Sequence, residues 1–210
     1  MRIIATSDTH NNSPQIPEGD VFIHCGDLTA HGTDKELDAA FSWIACLPHA
    51  IKIVVGGNHD KGLQGAAVRH KVNYLQDSGV VFKGALFWGS PWVPNFPGTW
   101  AFTADEERLA QYFARIPHDV DVLVTHGPPQ GILDRTAPNH RHKGEHAGSA
   151  ALRTVVDARQ PLLHLFGHIH EAHGMEMNGK TMHVNCAWVG VDPETGGPIK
   201  ANAPVVLDLQ

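Results

Sequence analysis

Residues 51–60 read Ile51-Lys-Ile-Val-Val-Gly56-Gly57-Asn58-His59-Asp60. A β-branched run that stops at two glycines is the pattern of a buried strand leaving its sheet through a sharp turn. The turn delivers an amide, an imidazole and a carboxylate in succession, and glycine lets the backbone approach whatever they face. In an open α/β sheet, ligands sit outside the carboxyl ends of the strands.

The same ending recurs along the chain. An apolar stretch at 2–7 runs into Asp8-Thr-His10, and one at 20–25 into Gly26-Asp27. Stretches at 121–125 and 162–166 run into His126-Gly127 and Gly167-His168-Ile-His170. Between them lie helix signals. Thr33-Asp-Lys-Glu36 is a capping box opening a helix with Leu37, Ala40, Phe41 and Ile44 on one face, ended before Pro48. A weaker helix interrupted by Gly65 is expected at about 61–71. Thr103-Ala-Asp-Glu106 reads as a second capping box, starting a helix to about 114, and Gly148-Ser149 caps another that Pro161 ends. Short strands are expected around 80–82 and 85–89, with a hairpin about Asn178-Gly179 and a closing strand at 203–209. Alternating helices and strands imply a largely parallel sheet arrangement, which brings the strand ends to one edge.

Carboxylates, imidazoles and an amide oxygen gathered at one edge are costly to assemble unless cations neutralise them. Two divalent metals would do so. The mixed donor set suits manganese, iron or zinc, and a carboxylate can bridge two ions about 3.5–4 Å apart. Each motif alone is weak; their repetition at five strand exits carries the reading.

Composition sets the frame. With 210 residues, 42% hydrophobic and 18% charged, the chain fits one globular domain over residues 1–210. A formal charge of −6 argues against a general polyanion binder, so a nucleic-acid polymer is not the expected partner. Cys25, Cys46 and Cys186 form neither a disulfide framework nor a zinc knuckle, and Cys25 reads as a buried apolar thiol. With no signal-peptide core and no membrane-length apolar run, a cytoplasmic protein is expected.

The series Asp8-x-His10, Gly26-Asp27, Gly57-Asn58-His59-Asp60, His126-Gly127 and Gly167-His168-x-His170 resembles the calcineurin-like metallophosphoesterase superfamily, along nearly the whole chain. Thr125-His-Gly-Pro-Pro129, Gly89-Ser-Pro-Trp92, Leu75-Gln-Asp77 and Phe166-Gly-His-Ile-His-Glu171 are similar to the small metallophosphoesterase-domain branch grouped with class III cyclic-nucleotide phosphodiesterases. The resemblance implies a four-layer αββα sandwich, two mixed sheets flanked by helices. It implies one metal on Asp8, His10, Asp27 and His170, and a second on Asp27, Asn58, His126 and His168, with Asp27 bridging. It further implies in-line attack on a small phosphodiester, such as a cyclic nucleotide, by a metal-bridging hydroxide. His59, not a ligand, would protonate the leaving oxygen or stabilise charge on the phosphoryl group. A phosphomonoesterase, a phosphotriester or nucleic-acid-end hydrolase, and a weakly active partner-binding scaffold are the alternatives.

Two departures stand out. Gly26-Asp-Leu-Thr-Ala30-His-Gly32 lacks the second aspartate and the arginine of the protein-phosphatase pattern, which weakens the acid role of His59 and argues against phosphoprotein substrates. Asp60 replaces the usual glutamate and is expected to brace the turn. Of the other histidines, His24 and His164 read as core residues with hydrogen-bond partners, and His49, His70 and His118 as solvated. The 130–147 loop, with Arg135, His140, Arg141, His142, Lys143 and His146, is either a solvated basic loop or a cover over the metals; in the second reading Arg141 and His142 bind substrate. Trp92, Phe96 and Trp100 could stack a nucleobase, and packing of their loop is the favoured reading.

Overall fold

Strand β1 (Arg2–Thr6) is apolar on both faces, and both are covered: Ile3 and Ala5 face a second sheet, Ile4 the helices. The same holds for β2 (Val21–His24), which leads to helix α1 (Asp34–Ala45) and then β3 (Ile51–Val54). These three strands run parallel, with Ile4 opposite Phe22 and Phe22 opposite Lys52. Helix α2 (Leu63–His70) returns the chain to the edge strand β4 (Asn73–Tyr74). The computed structural model describes residues 1–138, 144–194 and 196–209.

A second sheet begins with the hairpin β5 (Ser78–Phe82) and β6 (Ala85–Ser90). The short pair β7 (Val93–Pro94) and β8 (Thr103–Ala104) leads to α3 (Glu106–Phe113) and β9 (Val122–Thr125). Then come α4 (Ala150–Arg159), β10 (Leu163–Phe166), the hairpin β11 (Gly174–Asn178) and β12 (Thr181–Asn185), and β13 (Val205–Asp208). The sheet orders are β13-β1-β2-β3-β4 and β11-β12-β10-β9-β6-β5. β13 runs antiparallel to β1, and β6, β9, β10 and β12 are mutually parallel.

Three apolar clusters define four layers. Ile23, Ile53, Phe87, Val124 and Leu165 interlock between the sheets. Phe22 and Val54 pack outward on α1 and α2, and Leu123 packs on α3 and α4. This is the expected αββα sandwich. The five strand ends converge from two facing sheets, so the sequence picture of one parallel edge is corrected: three ends come from the first sheet and two from the second.

The first capping box forms as read, with Thr33 and Glu36 bonding reciprocally. The second does not. Thr103 is drawn into the pairing with β7, Asp105 caps α3 by accepting from Arg108 N, and Glu106 instead reaches Ser149 and the first amides of α4. A carboxylate there satisfies orphan donors of another helix, which sequence spacing alone does not reveal. His49 is another correction: it is buried, with Nε2 3.1 Å from Pro17 O, because its ring packs on Phe22.

Candidate metal centre

Each candidate ligand sits just beyond a strand, where the ladder stops and the backbone turns back. Asp8, His10, Asp27 and His168 all adopt the left-handed conformation, with φ of 55, 42, 54 and 68°. Non-glycine residues held there carry strain that persists only where their surroundings fix them. Here the surroundings are the turns themselves. A Cβ at Gly57 would run into Asp27 Oδ1 and its backbone nitrogen, and one at Gly167 into Asp8 Oδ2. The glycines beside Asn58 and His168 therefore permit the carboxylates to reach across.

Among the described residues the side chains meet in three overlapping groups: Asp8, His10 and His170; His10, Asp27 and His59; Asp27, His126 and His168. Within each, the ligand atoms lie within 4.8 Å of one another. His170 Nε2 is 3.2 Å from Asp8 Oδ1 and 3.4 Å from His10 Nε2. His126 Nε2 is 3.0 Å from Asn58 Oδ1 and 3.5 Å from Asp27 Oδ1. All seven expected ligands are thus brought together, with Asp27 between two groups. Asp8, Asp27, Asn58 and His126 are buried.

Backbone carbonyls decide which ring nitrogens face the centre. His10 Nδ1 lies 3.2 Å from Thr29 O, His126 Nδ1 3.0 Å from Cys25 O, and His59 Nδ1 2.6 Å from Ala30 O. A carbonyl only accepts, so each Nδ1 carries the hydrogen and each neutral Nε2 presents a lone pair inward. Histidine donating its other N–H to a carbonyl is the support typical of metal ligands. His10 Nε2, Asp8 and His170, and His126 Nε2, Asn58 and Asp27, converge, while backbone amides hold the carboxylates from outside: His168 N donates to Asp8 Oδ2 at 2.9 Å and His59 N to Asp27 Oδ1 at 2.8 Å. The donor set fits two divalent cations.

Protons fill that role in the bare protein. Burial opposes charge on Asp8, yet the hydrogen bond from His170 and the surrounding imidazoles hold it far below the usual carboxylate range. Burial likewise opposes the charge on Asp27, and His126 outweighs it, lowering Asp27 to about 2. Burial disfavours protonated His126, but Asp27 and Asp8 raise it to about 9. Burial, with His126 nearby, lowers His168 to about 3.

Asp60 braces the turn as expected. Its buried carboxylate accepts from Leu28 N at 3.1 Å, Thr29 N at 3.0 Å, Thr29 Oγ1 at 2.7 Å and Gly57 N at 3.0 Å. It ties the turn carrying Asp27 to the turn carrying Asn58. Burial and Asp27 push it up to about 6, against the pull of these donors. The missing protein-phosphatase aspartate has a substitute: the carbonyl of Ala30 orients His59, a contact no side-chain motif could announce.

A cavity of about 400 Å³ opens over the centre, lined by Asp27, Asn58, His59, His168, His170, Phe96, Trp100 and His146 among others. The aromatic loop divides. Trp92 packs as expected, stacked 3.9 Å from Tyr112 with Nε1 bonded to Asp77. Phe96 and Trp100 pack on each other at 5.5 Å and also line the cavity, 5.6 Å from the His168 ring and 4.8 Å from the His59 ring. The expected substrate contacts Arg141 and His142 lie outside the described residues. His24 and His164 are buried core residues, bonded to Thr9 at 3.0 Å and Thr125 at 2.9 Å. His70 is half-buried against Asp38, His118 is exposed, and Cys25 is buried between the sheets.

The family model for calcineurin-like phosphoesterases matches residues 1–172. Metallophosphoesterase domain-containing protein 1 of Homo sapiens is 35% identical over 240 residues, covering 99% of this chain and 71% of that one. A Caenorhabditis elegans protein of the UPF0046 group is 36% identical, covering 89% and 69%. Among solved structures, the phosphopantetheinyl hydrolase of Mycobacterium tuberculosis superposes with a TM-score of 0.63 at 15% identity, over 90% of this chain and 89% of that one, a likeness of fold.

Proposed function

The chain belongs to the calcineurin-like phosphoesterase family of metal-dependent phosphoester hydrolases, and on that premise we propose that it hydrolyses small phosphodiesters, cyclic nucleotides foremost. The observation that carries the two-metal reading is Asp27, whose carboxylate takes part in two adjacent ligand groups. In this reading Asp8, His10, Asp27 and His170 hold one ion, and Asp27, Asn58, His126 and His168 the other. Bound manganese, iron or zinc would supply Lewis-acid polarisation of the phosphoryl group and acidify water.

The chain's own residues do the rest. Ala30 O keeps the hydrogen of His59 on Nδ1, so Nε2, 3.9 Å from Asp27 Oδ2, is turned to the phosphoryl side. Phe96 and Trp100 offer flat apolar faces beside it, suited to a nucleobase or aryl group. The absence of an arginine after Asp27 supports small diesters over phosphoproteins. The reading includes one domain over residues 1–210, a small-molecule partner and a cytoplasmic setting; among the described residues no helix is long and apolar enough to cross a membrane.

The test is metal analysis of the purified protein combined with turnover of an aryl diester, an aryl monoester and both the 2′,3′- and 3′,5′-cyclic nucleotides. Two metals per chain and diester rates above monoester rates are expected. Monoester rates far above diester rates overturn the diesterase reading. Full metal loading with no turnover of any phosphoester favours a binding scaffold.

A further inference from the structure

His146 lines the same cavity as His59, and it is held differently. Its Nδ1 lies 2.5 Å from Asp134 Oδ1, and the Asp134 side chain is 1% exposed. The other oxygen of Asp134 accepts from Gly131 N at 2.8 Å and Gly148 N at 3.1 Å. With both carboxylate oxygens accepting, the His146 hydrogen sits on Nδ1, and Nε2 is left to take up or release a proton. Among the described residues none bonds to that Nε2.

The backbone around the pair is fixed. Residue 135 bridges residue 146, Thr136 N donates to Glu145 O at 3.1 Å and Ala147 N to Asp134 O at 3.0 Å. Ala137 N donates to Glu171 Oε1 at 2.6 Å, which ties the ribbon to the residue after His170. A buried carboxylate, an oriented imidazole and an open cavity are the parts of a proton-transfer pair. His59 has a carbonyl rather than a carboxylate on Nδ1, and its side chain is 25% exposed against 49% for His146. His59 therefore meets the phosphoryl group, and His146 meets the part of the substrate nearer the mouth.

We propose that His146, positioned by Asp134, is a second catalytic histidine of this centre that gives a proton to the leaving oxygen, while His59 serves the phosphoryl group. This rests on the phosphodiesterase reading above. In the step, the oxygen of water bonds to phosphorus as the bond from phosphorus to the leaving oxygen breaks. The leaving oxygen takes the Nε2 proton. The imidazole regains a proton from solvent, into which the attacking water has released one, so diester and water give monoester and alcohol.

The metal-loaded full chain is compared with its His146→Ala, His146→Gln and Asp134→Asn variants on two methyl aryl diesters, one with a phenyl and one with a 4-nitrophenyl leaving group. His146→Ala is expected to lower kcat on the phenyl ester about 10²-fold, and by a factor roughly tenfold smaller on the nitrophenyl ester, whose leaving oxygen needs no proton. His146→Gln keeps the Gly131 and Gly148 bonds of Asp134 in place, so it decides the matter if Asp134→Asn does not fold. Proton NMR of histidine-labelled protein supplies a readout apart from turnover: a strongly deshielded Nδ1 proton of His146 in the wild type, lost in Asp134→Asn. An equal loss on both esters, a loss confined to KM, or no such proton overturns the proposal alone. A wild type that cleaves no diester overturns the phosphodiesterase reading and this proposal with it.

Discussion

Asp60→Asn tests whether the centre depends on a residue that touches no substrate. Asparagine matches aspartate in shape but presents one acceptor oxygen and one amide donor. If its oxygen keeps Thr29 N and Thr29 Oγ1, its NH₂ confronts Leu28 N and Gly57 N, both of which bonded the second carboxylate oxygen. Two buried N–H groups are then left without partners, at about 1–3 kcal/mol each, or about 2–6 kcal/mol together. The loss falls on the link between the Asp27 and Asn58 turns, so metal affinity is expected to drop about 10–100-fold, as for other supports of ligand residues. Urea denaturation with a chelator present reads the first effect as a lowered midpoint at unchanged slope, and calorimetric metal titration reads the second. A variant within about 1 kcal/mol of wild type, with metal affinity intact, would refute the view that Asp60 couples the two turns.

Other outcomes follow from the same geometry. Gly57→Ala places a methyl against the Asp27 carboxylate and backbone, and is expected to abolish stoichiometric metal binding while far-ultraviolet circular dichroism stays native-like; retained metal would contradict the clash. His126 lies at about 9 in the folded metal-free protein against 6.5 as reference, so its stabilisation is full below about pH 6.5 and lost as pH rises through 9. The chelated protein's melting temperature should fall across that window, and metal, which needs the neutral imidazole, should flatten the slope. Trp100→Ala is expected to raise KM for cyclic nucleotides roughly tenfold, within the 1–3 kcal/mol of a stacked base, measured by initial rates; an unchanged KM removes Trp100 from the substrate site. His59→Ala is expected to lower kcat by similar factors on phenyl and 4-nitrophenyl diesters, and a much larger loss on the phenyl ester would return the leaving-group role to His59.

The sequence by itself determined the strands and their chemistry. Apolar runs that stop at Gly56-Gly57, Gly26 and Gly167 can only exit a buried sheet into tight turns, and the residues that follow are polar enough to need a shared neutralising partner. The family motif then implied the sandwich and the seven expected ligands. The tertiary structure decided what depends on distant backbone and on which sheet faces which. It split the strand ends between two sheets, moved the cap of α3 from Thr103 to Asp105 because β7 claims Thr103, and buried His49 against Phe22. It also gave His59 the Ala30 carbonyl as its partner, and His146 the buried Asp134. Side-chain periodicity records which residues are apolar and which are not. It carries no signal for a carbonyl's direction or for the pairing of two loop residues 12 positions apart, which packing alone settles.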